Sequence, residues 1–229
     1  MAADAGARAA LLASCGARGD LTALDQWLEV VGAESTVVDG TGPAVPGGLA
    51  IKLFPCCCAM QRPIHAVRAA LAGGDPSSVR GVRVRTPAGT VQPLIHDRPG
   101  TGLEGKFSLE YAVATALLDG FPTIASFTDE AVRRPAATAI IESVSVLLDP
   151  GGVGLLDGTC DVALQFVDGS TGQATLATPP GSPPCPPTRE ELDQKLYACS
   201  PQAADALSSL GWRDAASLLT ATVGRPTGA

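Results

Sequence analysis

The sequence predicts an α+β fold: a mostly antiparallel sheet flanked by helical segments. Three observations carry this. Apolar residues recur at helical spacing near both ends, with Leu21, Leu24, Leu28 and Val31 on one face near the start. Three central runs alternate in the manner of half-buried strands. No helical pattern separates the last two of those runs, so the crossover that a parallel pair requires is missing between them.

The elements follow in order. Ala2 to Ala13 is Ala-rich, carries Leu11 and Leu12, and reads as a helix that breaks over Cys15 to Asp20. A second helix spans Leu21 to Val31, with Gly32 as its stop. Asp39 to Gly48 is rich in Gly and Pro and marks a domain boundary. Ile51 to Phe54 reads as a short extended run ending at Pro55. Pro63 to Ala72 reads as a helix with proline in its first turn, closed by Gly73 and Gly74. In Val79 to Thr86, Val82 and Val84 face one way and Arg83 and Arg85 the other, which predicts a strand.

Phe107 to Leu118 is apolar or small at nearly every position after Tyr111, so it predicts a helix buried all round, with Ser108 as N-cap and Gly120 as stop. Short helical pieces follow over 121–134, one of them capped by Thr128. Ile140 to Leu148 and Cys160 to Val167 read as strands. The turn after Asp168 leads into Ala174 to Thr178 as a hairpin. Pro179 to Pro187 reads as an extended linker. Thr188 and Glu191 form a capping box ahead of Leu192 and Leu196. Further helices are expected from Ser200 and over Asp214 to Val223, before a frayed tail. The domain expectation is therefore 1–48 helical, 49–178 α+β, and 179–229 linker plus helices.

Composition narrows the function. Hydrophobic residues make up 45% of the 229 and charged residues 17%, enough apolar surface for a core. A net charge of -7 argues against nucleic acid or an anionic membrane as partner. An anionic ligand would need a local basic site working against that charge. No apolar run approaches the roughly 20 residues of a membrane span, and the first segment lacks a signal-peptide core. Cysteines number seven, an odd count, and three of them are consecutive, which points to free thiols in a reducing, cytoplasmic setting. With no C-x-x-C and only two histidines, a structural metal is not expected.

Few side chains stand out as chemical. Lys52 lies inside the apolar run Leu49-Ala50-Ile51-Lys52-Leu53-Phe54, and there are only three lysines in the chain, the others being Lys106 and Lys195. Such a lysine either snorkels to water or is held for an anion such as a substrate carboxylate. Tyr111 is the one phenol in a buried helix; it is a core tyrosine bonded to backbone, or a proton donor. His96, beside Asp97 in a loop, is a surface histidine or a carboxylate-binding group. His65 packs on a helix by default. Cys57 is a packing residue of a tight turn or a reactive thiol.

The string IKLFPCC, the helix from Pro63, and LIHDRPGTGLEGKFSLEYAVATALLDG together resemble the MmgE/PrpD family. Its members include 2-methylcitrate dehydratase, cis-aconitate decarboxylase and iminodisuccinate epimerase. ARAALLASCG, LTALDQWLEVVG and TREELDQKL extend the likeness over about residues 5 to 200. It covers only the C-terminal half of a family member. The resemblance implies an α+β lid domain between segments of an all-helical domain, with the active site between them. It implies metal- and cofactor-free lyase or isomerase chemistry on a small di- or tricarboxylate, in which a proton leaves the carbon next to a carboxylate. Lys52 matches the family lysine before the Y-P-C-C turn, and Tyr111 the tyrosine of F-S-x-x-Y, so these two are the expected catalytic residues. Cys57 stands where some members have histidine, Gln61 where many have histidine, and His65 where aspartate is common. With Lys52 and His96, Cys57 and Gln61 complete the expected substrate-binding set. The remaining acid/base residues would come from an N-terminal half, as a partner chain or as part of a longer reading frame. A homo-oligomer is expected. The alternative to an enzyme is a non-catalytic lid-domain remnant or subunit that binds a partner chain or a small carboxylate.

Overall fold

The computed structural model describes residues 2–32, 48–155, 157–202, 204–211 and 214. It divides into two units, Met1–Pro46 and Gly47–Ala229.

The first unit holds helices α1 (Ala2–Ser14) and α2 (Ala23–Val30). Their apolar residues find little cover. Leu21 is 98% exposed and Leu24 65%, and among the described residues of this unit only Leu28 is even half-buried. The stripe that makes α2 amphipathic is therefore open.

In the second unit, α3 (Cys58–Leu71) precedes strand β1 (Val79–Pro87). Four helices follow: α4 (Gly102–Gly105), α5 (Leu109–Asp119), α6 (Asp129–Val132) and α7 (Pro135–Ser143). Strands β2 (Val144–Asp149), β3 (Cys160–Phe166) and β4 (Thr171–Leu176) come next, then α8 (Arg189–Cys199) and α9 (Ala204–Ser208). The fold is α+β, as the sequence predicts.

The sheet order is β2-β1-β3-β4. β1 pairs antiparallel with β3, and β3 with β4, so two of the three pairings are antiparallel. The third, β1 with β2, is parallel and sets Val84 opposite Val146. A parallel neighbour needs a long crossover, and the helical stretch 88–143 supplies it. β1 thus separates β2 from β3.

Inner-face residues Val82, Val84, Val162 and Leu164 are buried, while Arg83 and Arg85 face out. Helix α3 covers β3 and β4, α7 lies on β1, and α5 packs on both helices. Ile64 and Val67 of α3 and Val113 and Leu117 of α5 close this core. Fully burying each such side chain is worth about 1.5–3 kcal/mol. Ser108 Oγ accepts from the Tyr111 N–H at 3.1 Å, and Thr188 forms the predicted reciprocal box with Glu191.

Four boundaries differ from expectation. α3 begins at Cys58, so Pro63 lies inside it; buried Ala59 and Met60 hold the extra turn in the core. Residues 140–143 end helix α7 instead of starting a strand, because Pro135 opens that helix at its first turn and Ala137 and Ile141, one turn apart, are its buried face. Ile51 to Phe54 is irregular, bending from Leu53, and is not a strand. The Pro-rich stretch folds into tight turns closed by a Ser182–Cys185 bridge and is not extended. The helix expected over 214–223 lies outside the described residues except at Asp214.

Candidate anion-binding site

Lys52 sits on an irregular loop pinned from two sides. The Ile51 N–H donates to the Gly181 carbonyl at 2.7 Å, which ties the loop to the proline-rich turns. Buried Gln61 grips the next residues: its Oε1 accepts from the Phe54 N–H at 3.2 Å, and its Nε2 donates to the Phe54 carbonyl at 3.0 Å and to Cys56 Sγ at 3.4 Å. Cys57 is the N-cap of α3, and its N–H donates to the Lys106 carbonyl at 3.0 Å, joining the start of α3 to the turn before α5. Helix α8 lies over the same loop, so that Lys195, Ala198 and Cys199 share a crevice with Leu53 and Pro55.

These constraints produce one open depression of about 520 Å³. It is lined by Lys52, Lys106 and Lys195, by Cys56, Cys57 and Cys58, and by Phe54, Phe107 and Leu155. Every lysine of the chain is there. Among the described residues no lysine forms an ion pair. Three lysines and the N-terminal end of a 14-residue helix therefore border one cavity, and among the described residues no carboxylate pairs with those lysines. Burial pushes the Cys56 thiol up to about 12, with Cys57 adding to the shift and Lys52 and Lys106 opposing it. Cys56 is thus a packing thiol, whereas Cys57 and Cys58 are half-buried.

The other expected site residues lie elsewhere. Tyr111 is wholly buried, and its hydroxyl donates to the Ser126 carbonyl at 2.5 Å. Burial raises its pKa, and the neighbouring Arg134 works against that. Its ring packs edge-on to Phe127, and it does not line the depression. Gln61 has its amide engaged by the Phe54 backbone, which makes it a positioning residue. His96 is half-buried outside the depression, tied by its N–H to the carbonyl of Phe107. Of the expected set, Lys52 and Cys57 are brought together.

Sequence reasoning missed Lys106, Lys195 and Arg62. The available signal for the first two was rarity: a chain with three lysines that uses each of them near a candidate motif. Arg62 is 2% exposed and donates to the carbonyls of Gly158, Asp157 and Ala177 at 2.7, 3.0 and 3.1 Å. It fastens the loop that carries Leu155.

His65 backs this wall. Its ring centroid lies 4.7 Å from that of Phe54, its Nδ1 is 4.0 Å from Glu191 Oε1, and its buried Nε2 has no partner. Burial first, then Arg68, push its pKa down to about 4, against the pull of Glu191. Because the unfolded value is near 6.5, the unfolded chain takes up the proton first as pH falls. Stability contributed by neutral His65 is present above about 6.5 and lost towards 4, at about 1.4 kcal/mol per pH unit. Urea unfolding at pH 7 and 4.5 is expected to show a smaller acid loss in His65→Leu than in the native chain; equal losses refute this.

Fold and depression define the class: an α+β domain with a lysine-lined cleft in which, among the described residues, no lysine forms an ion pair. Residues 54–210 match the MmgE/PrpD C-terminal domain, and the chain belongs to the MmgE/PrpD family. Cys57, Lys106 and Lys195 lie within the matched stretch, and Lys52 just ahead of it. Among curated proteins none matches the chain. No described helix is long and apolar enough to cross a membrane.

Proposed function

We propose that the depression binds a small di- or tricarboxylate, and that the chain is the lid-type part of a metal-independent lyase or isomerase of the dehydratase, decarboxylase or epimerase kind. One observation carries the reading: a chain of net charge -7 places all of its lysines around one cavity, and among the described residues none of them forms an ion pair. Proton removal next to a carboxylate develops a second negative charge on that group. Fixed ammonium groups stabilise such a dianion more than the bound acid, which is the requirement for lowering the barrier. Lys52 is the anchor, with Lys106 and Lys195 as further cations. The proton-moving groups come, in this reading, from the all-helical part of the family's architecture. The open apolar stripe on α2 supports packing against helices of that kind, or against a second copy of the chain.

A second reading is binding without turnover. It is favoured by Tyr111, whose hydroxyl is held by Ser126, and by Gln61, whose amide is held by Phe54. Titration with citrate by calorimetry, together with turnover assays on 2-methylcitrate, cis-aconitate and iminodisuccinate, separates the two. Citrate binding that weakens about tenfold or more in Lys52→Ala is expected, from the loss of one charged contact. Turnover supports the first reading and binding alone the second; no binding overturns both.

A further inference from the structure

We propose that Cys57 is a covalent acceptor site for small electrophiles that carry a carboxylate. The inference shares its three lysines with the carboxylate-binding reading above and adds a nucleophile to them.

The geometry is a juxtaposition of thiol and cations in one cavity. Cys57 lines the depression with Lys52, Lys106 and Lys195. It precedes the first helical residue of α3, with φ −55° and ψ 145°, and its side chain caps no backbone donor. Its own N–H is bonded to the carbonyl of Lys106, so thiol and lysine stem from directly linked backbone. The adjacent Cys56 differs in each respect: it is buried, contacted by Gln61 and held as a thiol up to about 12. Burial of that kind makes a cysteine inert, while a partly exposed one amid cations is reactive.

Clustered charge in a cleft raises the local concentration of an oppositely charged small molecule by tenfold or more. A carboxylate held by the ammonium groups carries its attached carbon into range of the thiol, so binding supplies orientation as well. The same cations give no advantage to an uncharged electrophile. The selectivity is therefore for charge. With a haloacetate, the sulfur forms a bond to the methylene carbon, the carbon–halogen bond breaks, the halide leaves with the bonding pair, and the thiol proton goes to water. With an α,β-unsaturated acid, sulfur bonds to the β-carbon, the π pair moves to the α-carbon, and that carbon takes the thiol proton.

The test uses the intact chain and two reagents of similar size and opposite character, iodoacetate and iodoacetamide, at limiting dose and low salt. Peptide mass spectrometry reads labelling at each cysteine. Cys15 is exposed on the first unit, whose described residues include no lysine, and serves as the internal reference. The iodoacetate-to-iodoacetamide rate ratio at Cys57 is expected to exceed that at Cys15 by about tenfold. It should fall towards the Cys15 value in Lys106→Gln and Lys195→Gln, with excess citrate, and at about 0.5 M salt, where charges are screened within a few ångströms. The salt series needs no variant, so a folding defect in either substitution leaves the result readable. Equal ratios at Cys57 and Cys15, or labelling that favours Cys58 and spares Cys57, overturn the assignment. If citrate binds by calorimetry while the ratio is flat, this inference falls and the carboxylate site stands. If neither is seen, both fall.

Discussion

Arg62→Met is expected to lower the unfolding free energy by about 4 kcal/mol, read as a reduced urea midpoint with little change in slope. Arg62 is buried in the core side of α3, yet its guanidinium reaches the carbonyls of Gly158, Ala177 and Asp157, with Leu155 O at the limit of range. Those carbonyls belong to the β2–β3 loop and to the chain just after β4. A methionine keeps most of the apolar stem but leaves the carbonyls without this donor. Each neutral hydrogen bond is worth about 1 kcal/mol and those to a charged donor more, and leaving a buried group unpaired costs about 1–3 kcal/mol. Arg62→Lys is expected to lose about half as much, since a compact ammonium cannot reproduce the planar fork. A loss under about 1 kcal/mol for Arg62→Met means that water has taken over the carbonyls. Because Leu155 lines the depression, the Met variant should also bind citrate more weakly.

How much of this was legible in the sequence depends on how local the cause is. The capping box of Thr188 and Glu191, the Ser108 cap and the β3–β4 hairpin are decided within a few residues, and the structure has all three, although β4 begins at Thr171 and not at Ala174. The buried character of α5 follows from its composition alone. The reading of 140–148 as one strand failed because Ile140 and Ile141 are β-branched, and β-propensity is a weak guide beside packing. Tertiary contact decides there: Ile141 and Ala137 share the buried face of α7. The insertion of β1 between β2 and β3 depends on a crossover of more than fifty residues, and no local pattern encodes it.

The site divides in the same way. Lys52 was visible because a charge in an apolar run is costly unless it reaches water or a partner. Lys106 and Lys195 sit in ordinary surroundings in sequence, and only folding carries them to Lys52. Tyr111 was correctly read as needing a partner, but sequence could not choose between Ser126 and a substrate. The partner is fixed where the chain after α5 turns back to place Ser126, 15 residues on, beside Tyr111.

Gly181→Ala should be strongly destabilising, and its effect should reach the lysine loop. Gly181 has φ +95°, where an L side chain is strained by about 1–2 kcal/mol. A Cβ placed there would lie 2.1 Å from the carbonyl oxygen of Ile51, which is backbone and cannot swing aside. The turn must open, and the 2.7 Å bond from the Ile51 N–H to the Gly181 carbonyl opens with it. The expected cost is about 3–4 kcal/mol in unfolding free energy, combining the strain with one lost hydrogen bond and the overlap. Gly169→Ala is the matched control: φ is +85° on the β3–β4 turn, but nothing lies within 4 Å of the added carbon. It should cost only the conformational part, about 1 kcal/mol. The two variants also differ in ligand binding. Lys52 follows Ile51 directly, so opening that turn moves its ammonium away from Lys106 and Lys195, and citrate affinity should fall in Gly181→Ala but not in Gly169→Ala. Equal affinities in the two variants mean that the proline-rich turns do not hold the lysine loop in place.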